Sequence, residues 1–208
     1  MAGRLTGSDV KAVFLTADTQ ALDADGISAA ASVGNNASLT LGGALTSGGS
    51  ATFDAGRIVT ILSAGDDSGI SFTVTGTDVN SDSQTESITG ANAGTATGSK
   101  YFKTVTAIAA VGDPAGNVSA GINNSAADVV TEGRSRLQGI NMVCSGTAGT
   151  LNFLKTSPTG TNLFKLGSVA SATATRDITI PDNGLLFDNG IYIQYTQSTF
   201  GTLTAFHA

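Results

Sequence analysis

Asp78, Asn80, Asp82, Gln84 and Glu86 put an oxygen-bearing side chain at every second position of TGTDVNSDSQTESITG, residues 75–90. A calcium loop surrounds its ion with the same alternation, but it also needs glycine at its sixth residue and a bidentate Glu at its twelfth. Counted from Asp78, those places hold Ser83 and Thr89. The stretch therefore predicts a hairpin loop and no metal, because Asn, Asp and Ser favour turns by bonding their own backbone. Its polar side chains are expected to face water.

Other residues could do chemistry. Gly94-Thr-Ala-Thr-Gly98-Ser99-Lys100 echoes a phosphate-binding loop, with one residue too few between the glycines and a serine before the lysine. It precedes the strand-like YFKTVTAI instead of a helix, so the amides and dipole of a helix N-terminus are missing, and a surface loop is expected. Serines are plentiful, but the single histidine, His207, lies one residue from the end of the sequence, and no GxSxG elbow occurs. A general base must be held rigidly, and chain ends fray, so no serine triad is expected. Of the 16 acidic residues, Asp66, Asp67, Asp78, Asp82, Asp182 and Asp188 fall in predicted turns, which explains them without paired-carboxylate catalysis. One cysteine, Cys144 in INMVCSG, and one histidine make no zinc site, and Cys144 reads as a buried, inert thiol. No catalytic residue, cofactor or metal is predicted. Arg134 and Arg136 in EGRSRLQG form the densest positive spot, two arginines on one side of a strand that either bind a carboxylate on a neighbouring chain or are simply solvated.

The elements that position these residues are strands. Only 12% of residues are charged, about half the usual ~25%, and the 27 glycines are about twice the usual share of ~7%. Such a chain is rich in turns and β-compatible Thr and poor in the Glu, Lys and Arg that coat helices. Ile70, Phe72 and Val74 alternate with Ser71, Thr73 and Thr75, a strand period. The net charge of −6 argues against a sequence-independent grip on nucleic acid. No apolar run approaches the ~20 residues of a membrane span, and MAGRLTGSDVKAVFL is too short in apolar length for a signal peptide. The expectation is a chain made and used without export, with neither nucleic acid nor membrane as partner.

Along the chain, residues 1–50 hold one plausible strand, VKAVFL, and then small-residue, low-complexity sequence that reads as an extended N-terminal arm. Residues 51–123 form a first β domain with strands RIVTILS, GISFTVTG, TESITG, YFKTVTAIAAV and GNVSAGI. Residues 124–133 read as a linker or crossing strand. Residues 134–208 form a C-terminal β-sandwich with RLQGINMVC, GTLNFLK, TNLFKLG, RDITIP, GLLF, GIYIQYT and GTLTAF, its turns marked by Pro181-Asp182-Asn183-Gly184 and Asp188-Asn189-Gly190. In GIYIQYT one of Tyr192 and Tyr195 is expected in the core and the other outside. The fold class is all-β, two small antiparallel sandwich or barrel-like domains.

The runs SAGDDSGISFTVTGTD, ESITGANAGTATGSKYFKTVTAI, EGRSRLQGI and ITIPDNGLLFDNGIYIQY resemble small β-rich structural proteins of tailed-bacteriophage particles, over most of the chain from Arg57 onward. The resemblance implies no catalytic residues. It implies a non-enzymatic virion protein assembled in the host cytoplasm, first a capsid decoration (cement) protein, with a tail, neck or fibre component, including one that binds a host-surface receptor, as the alternative. The implied partners are the major capsid protein or other virion proteins and further copies of the chain, as a trimer or another homo-oligomer. On that reading Val13, Phe14 and Leu15 in the arm make the contacts, with Arg134 and Arg136 as polar anchors.

Overall fold

The computed structural model describes residues 9–17 and 20–208. They form fifteen strands and, among the described residues, no helix. In chain order the first eight are β1 (Lys11–Thr16), β2 (Asp23–Ser32), β3 (Thr46–Ser47), β4 (Ser50–Ser63), β5 (Ser71–Thr77), β6 (Ser83–Thr89), β7 (Thr95–Val111) and β8 (Asn117–Thr131). The others are β9 (Ser135–Cys144), β10 (Gly149–Lys155), β11 (Thr161–Ser168), β12 (Thr175–Thr179), β13 (Leu185–Phe187), β14 (Ile191–Thr196) and β15 (Phe200–His207). The fold is all-β and antiparallel, as the alternation of apolar and hydroxyl residues predicts.

The chain divides into two compact units. One contains the described residues up to Ala17 together with Val129–Ile193 and Ser198–Ala208; the other contains Gln20–Asp128 and Gln194–Gln197. In the second, β4 lies between β7 and β8, β5 follows β7, and β6 follows β5, with β2 on β8 and β3 on β4. Phe72 and Val74 of β5, Ile88 of β6, Phe102, Val105 and Ile108 of β7, and Phe53 and Ile61 of β4 fill its core. The expected arm is not free in this region. Ile27, Val33 and Leu39 are buried in the same core, with Leu41 and Leu45 against it. Glycine makes this possible: a Cβ on Gly43 would lie 2.4 Å from the Asp25 carbonyl oxygen, and one on Gly121 1.9 Å from that of Asp23. Small residues that read as low complexity are the ones that let two backbones touch.

The first unit is a two-layer sandwich. One sheet has the order β1-β15-β9-β12, with β13 also on β9, and the other contains β11-β10-β14. Leu137, Ile140, Met142 and Cys144 of β9 and Phe200, Leu203 and Ala205 of β15 are buried. The N-terminal strand β1 thus completes a sheet whose other members come from the end of the chain, pairing Lys11 with His207 and Thr16 with Thr202. Residues 1–8 of the expected arm lie outside the described residues.

Two further expectations need correction, and one alternative is decided. Of the two readings of residues 124–133 the crossing strand holds as far as Thr131, because β8 runs on without a break. Tyr192 and Tyr195 are both buried, since Ile191, Tyr192 and Ile193 in succession are covered and β14 therefore has both faces in contact with protein. In the PDNG turn the positive φ falls at Asp182 (57°) and Gly184 (75°), so the aspartate, not the asparagine, takes the left-handed conformation.

Candidate functional site

The 75–90 stretch is a hairpin, with Ser71–Thr77 paired to Thr89–Ser83 in unbroken register. In its loop the Asp78 carboxylate accepts the amides of Asn80 (2.8 Å) and Asp82 (3.0 Å), and the Asp78 amide donates to the Asp82 carbonyl at 2.9 Å. The oxygen that a calcium loop would present to an ion is turned onto the loop's own backbone. Gln84 and Glu86, expected in water, point inward. Gln84 Nε2 donates to the Tyr101 carbonyl, and Glu86 is only 9% exposed.

Glu86 meets the phosphate-loop echo. Ile58 of β4 pairs with Tyr101 and Thr60 with Thr97, so Gly98, Ser99 and Lys100 of β7 all lie opposite Val59. This bulge releases their amides from the ladder. The Ser99 amide (2.6 Å) and hydroxyl (2.8 Å) donate to Glu86 Oε1, and the Lys100 amide lies 3.3 Å from both carboxylate oxygens. A Cβ on Gly98 would stand 2.6 Å from Glu86 Oε2. TGSK is therefore an anion cradle whose anion is the chain's own carboxylate, and it is strand, not the expected surface loop.

A second polar cluster was not legible in the sequence. Arg57, read there only as the start of a strand, is fully buried. Its Nη1 donates to the Gln20 carbonyl at 2.7 Å and its Nη2 to the Asn123 carbonyl. Gln20 answers by accepting the Asp54 amide at 3.0 Å. Nearby, Gln194 Nε2 donates to the Tyr101 hydroxyl and the Tyr195 hydroxyl to Asp128 Oδ2, each at 2.8 Å. Burial raises the Tyr101 pKa, against the hydrogen bonds of Gln194 and Ser125 and the charge of Arg57.

Asp67 opens the predicted turn, its carbonyl accepting the Ile70 amide at 2.9 Å, and its side chain is fully buried. Its Oδ1 accepts the Ala115 amide at 2.7 Å, tying the β4–β5 connection to the β7–β8 connection, while Oδ2 has no hydrogen-bond partner. The adjacent Asp66 accepts the Ser68 hydroxyl and amide, which lowers its pKa.

In the first unit His207 is neither frayed nor exposed. Its Nδ1 lies 3.0 Å from Ser135 Oγ, 72 residues away, and that hydroxyl also donates to the Ala208 carbonyl at 3.1 Å. A serine–histidine pair thus exists where none was expected, because the last strand is locked between β1 and β9. A nucleophile needs its proton aimed at the base. Here the hydroxyl has a main-chain carbonyl as well as the imidazole within reach, so its one proton is not reserved for the base, and the tautomer of His207 decides which of the two side chains donates. Burial first and the charge of Lys11 second hold the His207 pKa below its ordinary value.

The predicted contact residues separate. Phe14 is 63% exposed on β1, and Val13 and Leu15 are half-buried on its other face. Arg134 sits exposed in the bend before β9 instead of on the strand, so the two arginines do not share a strand face; Arg136 Nη1 donates to the Gly184 carbonyl at 3.2 Å. Cys144 is buried in β9. On the other unit a groove of about 320 Å³ is lined by Thr75, Thr77, Ser83, Thr85 and Thr106 with Gly76 and Gln84, hydroxyls and amides without a titratable group. Among the described residues no three His, Cys, Asp or Glu side chains come together as a metal site would require. No family model, curated protein or solved structure matches the chain.

Proposed function

We propose that the chain is a non-enzymatic structural component of a tailed-bacteriophage particle, foremost a decoration protein on the assembled head. The observation that carries this reading is how the buried polar side chains are used. Glu86 holds the amides of Ser99 and Lys100, Arg57 the carbonyls of Gln20 and Asn123, Asp67 the amide of Ala115, and Ser135 the carbonyl of Ala208. These four buried side chains, which could otherwise act on a substrate, are bonded to the chain's own backbone, which is how a rigid scaffold is built. The phage-like runs, the all-β fold and the exposed Phe14 beside Val13 and Leu15 agree with a part that binds other proteins.

A cement protein stabilises a shell by binding assembled subunits better than free ones, which is mass-action linkage and needs no chemistry. The long arm is no longer the means, because residues 23–50 belong to a core; the contacts fall to the surface around β1. The test is quantitative mass spectrometry of purified particles. A decoration protein follows the icosahedral lattice, with a copy number of the same order as the shell protein. A ratio of a few per cent overturns the head assignment and favours a tail, neck or fibre part, including one that binds the host surface.

A further inference from the structure

The strands that end the sheets are not protected alike. A free edge offers unpaired amides and carbonyls to any passing chain, and stable proteins blunt it with charges, inward-pointing charged groups, bulges or short length. β6 turns Glu86 inward. β12 is only five residues long and carries Arg176 and Asp177. β11 carries Lys165 and is paired through an irregular register at Phe153/Leu154. β1 has none of these in its middle: its sequence KAVFLT has its one charge at the first position, and among the described residues no strand lies beside it opposite β15. Its outer face is apolar up to Thr16 at its end, with Val10 41% and Phe14 63% exposed and Ala12 exposed between them.

We propose that the free edge of β1 pairs antiparallel with β1 of a second copy, about a two-fold axis at Val13. The sequence is self-complementary in that register. Val13 meets its own counterpart, Ala12 faces Phe14 of the partner, Lys11 faces Leu15, and Val10 faces Thr16. The small Ala12 leaves room for each phenyl ring, and the two Phe14 rings stand on the diagonal that aromatic side chains can span. The two Lys11 charges are carried to opposite ends of the ladder. Backbone bonds then supply affinity and the apolar face supplies register, as in other strand additions. This inference goes beyond the virion reading and does not depend on it.

The full chain should self-associate reversibly in sedimentation velocity, and Phe14→Lys should weaken that association roughly tenfold or more. Directly opposed residues of an antiparallel pair fall within the Cα separation that a disulfide spans. Val13→Cys should therefore give a covalent dimer under mild oxidation, while Asp177→Cys on β12, with Cys144 buried in both, should not. A wild-type chain that stays monomeric at every concentration overturns the proposal. So does a Val13→Cys variant, folded by circular dichroism, that cross-links no better than Asp177→Cys.

Discussion

The two units solve the same problem with different means. The unit built from residues 20–128 and 194–197 is nearly continuous in sequence and contains, tyrosines aside, three buried ionisable groups, Arg57, Asp67 and Glu86. The other gathers three stretches of chain around an apolar interior in which, among the described residues and apart from tyrosine and cysteine, the only buried titratable side chain is His207. In the 20–128 unit the chain crosses over so that β4 lies between β7 and β8, and the bulges of the β4–β7 pairing strand main-chain groups that must be bonded. Buried charges bond them strongly. The other unit has register shifts as well, at Phe200/Thr202 and Phe153/Leu154, but among its described residues no Arg, Asp or Glu is buried beside them. Single substitutions should therefore have their largest effects in the 20–128 unit, while in the other the lowered pKa of His207 makes stability depend on pH just below its ordinary value.

The largest effect is expected at Arg57. Arg57→Ala removes a large buried side chain and strands the Gln20 and Asn123 carbonyls, for a loss of about 3–5 kcal/mol. Urea unfolding should show the loss in the transition of its own unit. A loss below about 1 kcal/mol would mean that the cluster is not a structural hub. Glu86→Ala leaves the Ser99 and Lys100 amides without their acceptor, for about 1–3 kcal/mol by the same measurement. Asp67→Asn should fall within about 1 kcal/mol of wild type, because an amide oxygen still accepts the Ala115 amide. A drop as large as that of Glu86→Ala would show that the charge of Asp67, not its hydrogen bond, matters.

The smallest effect is the pH dependence of His207. Its folded pKa lies below the ordinary value, so between that lowered value and about 6.5 the unfolded chain binds the proton more readily. Stability is fully present above that window and is lost as pH falls through it. His207→Gln should flatten this part of the melting-temperature profile. An equally steep wild-type and variant profile would assign the slope to the carboxylates.

The strands were legible because period-two alternation survives in FTVT and INMVC, and glycine-rich turns separate them. β2 was not, because its buried positions are Gly26, Ile27 and Ser28, with no alternation to read. Glu86 was classed with loop acids because the signal that places it, a bulge in β7, belongs to the register between strands and not to any one strand. The Ser135–His207 pair joins residues 72 apart, and the expectation of a frayed end failed because β1 reaches back to cover it. Arg57 carried no motif at all, only a cation at a strand position that the fold happens to close over.

The central claim is that side chains resembling a catalytic or ion-binding set are committed to the backbone, and Glu86 tests it most directly. Native-state hydrogen exchange should find the Ser99 and Lys100 amides protected in the wild type and selectively deprotected in Glu86→Ala, with the β5–β6 ladder unchanged. Equal exchange of these two amides in both proteins would contradict the account.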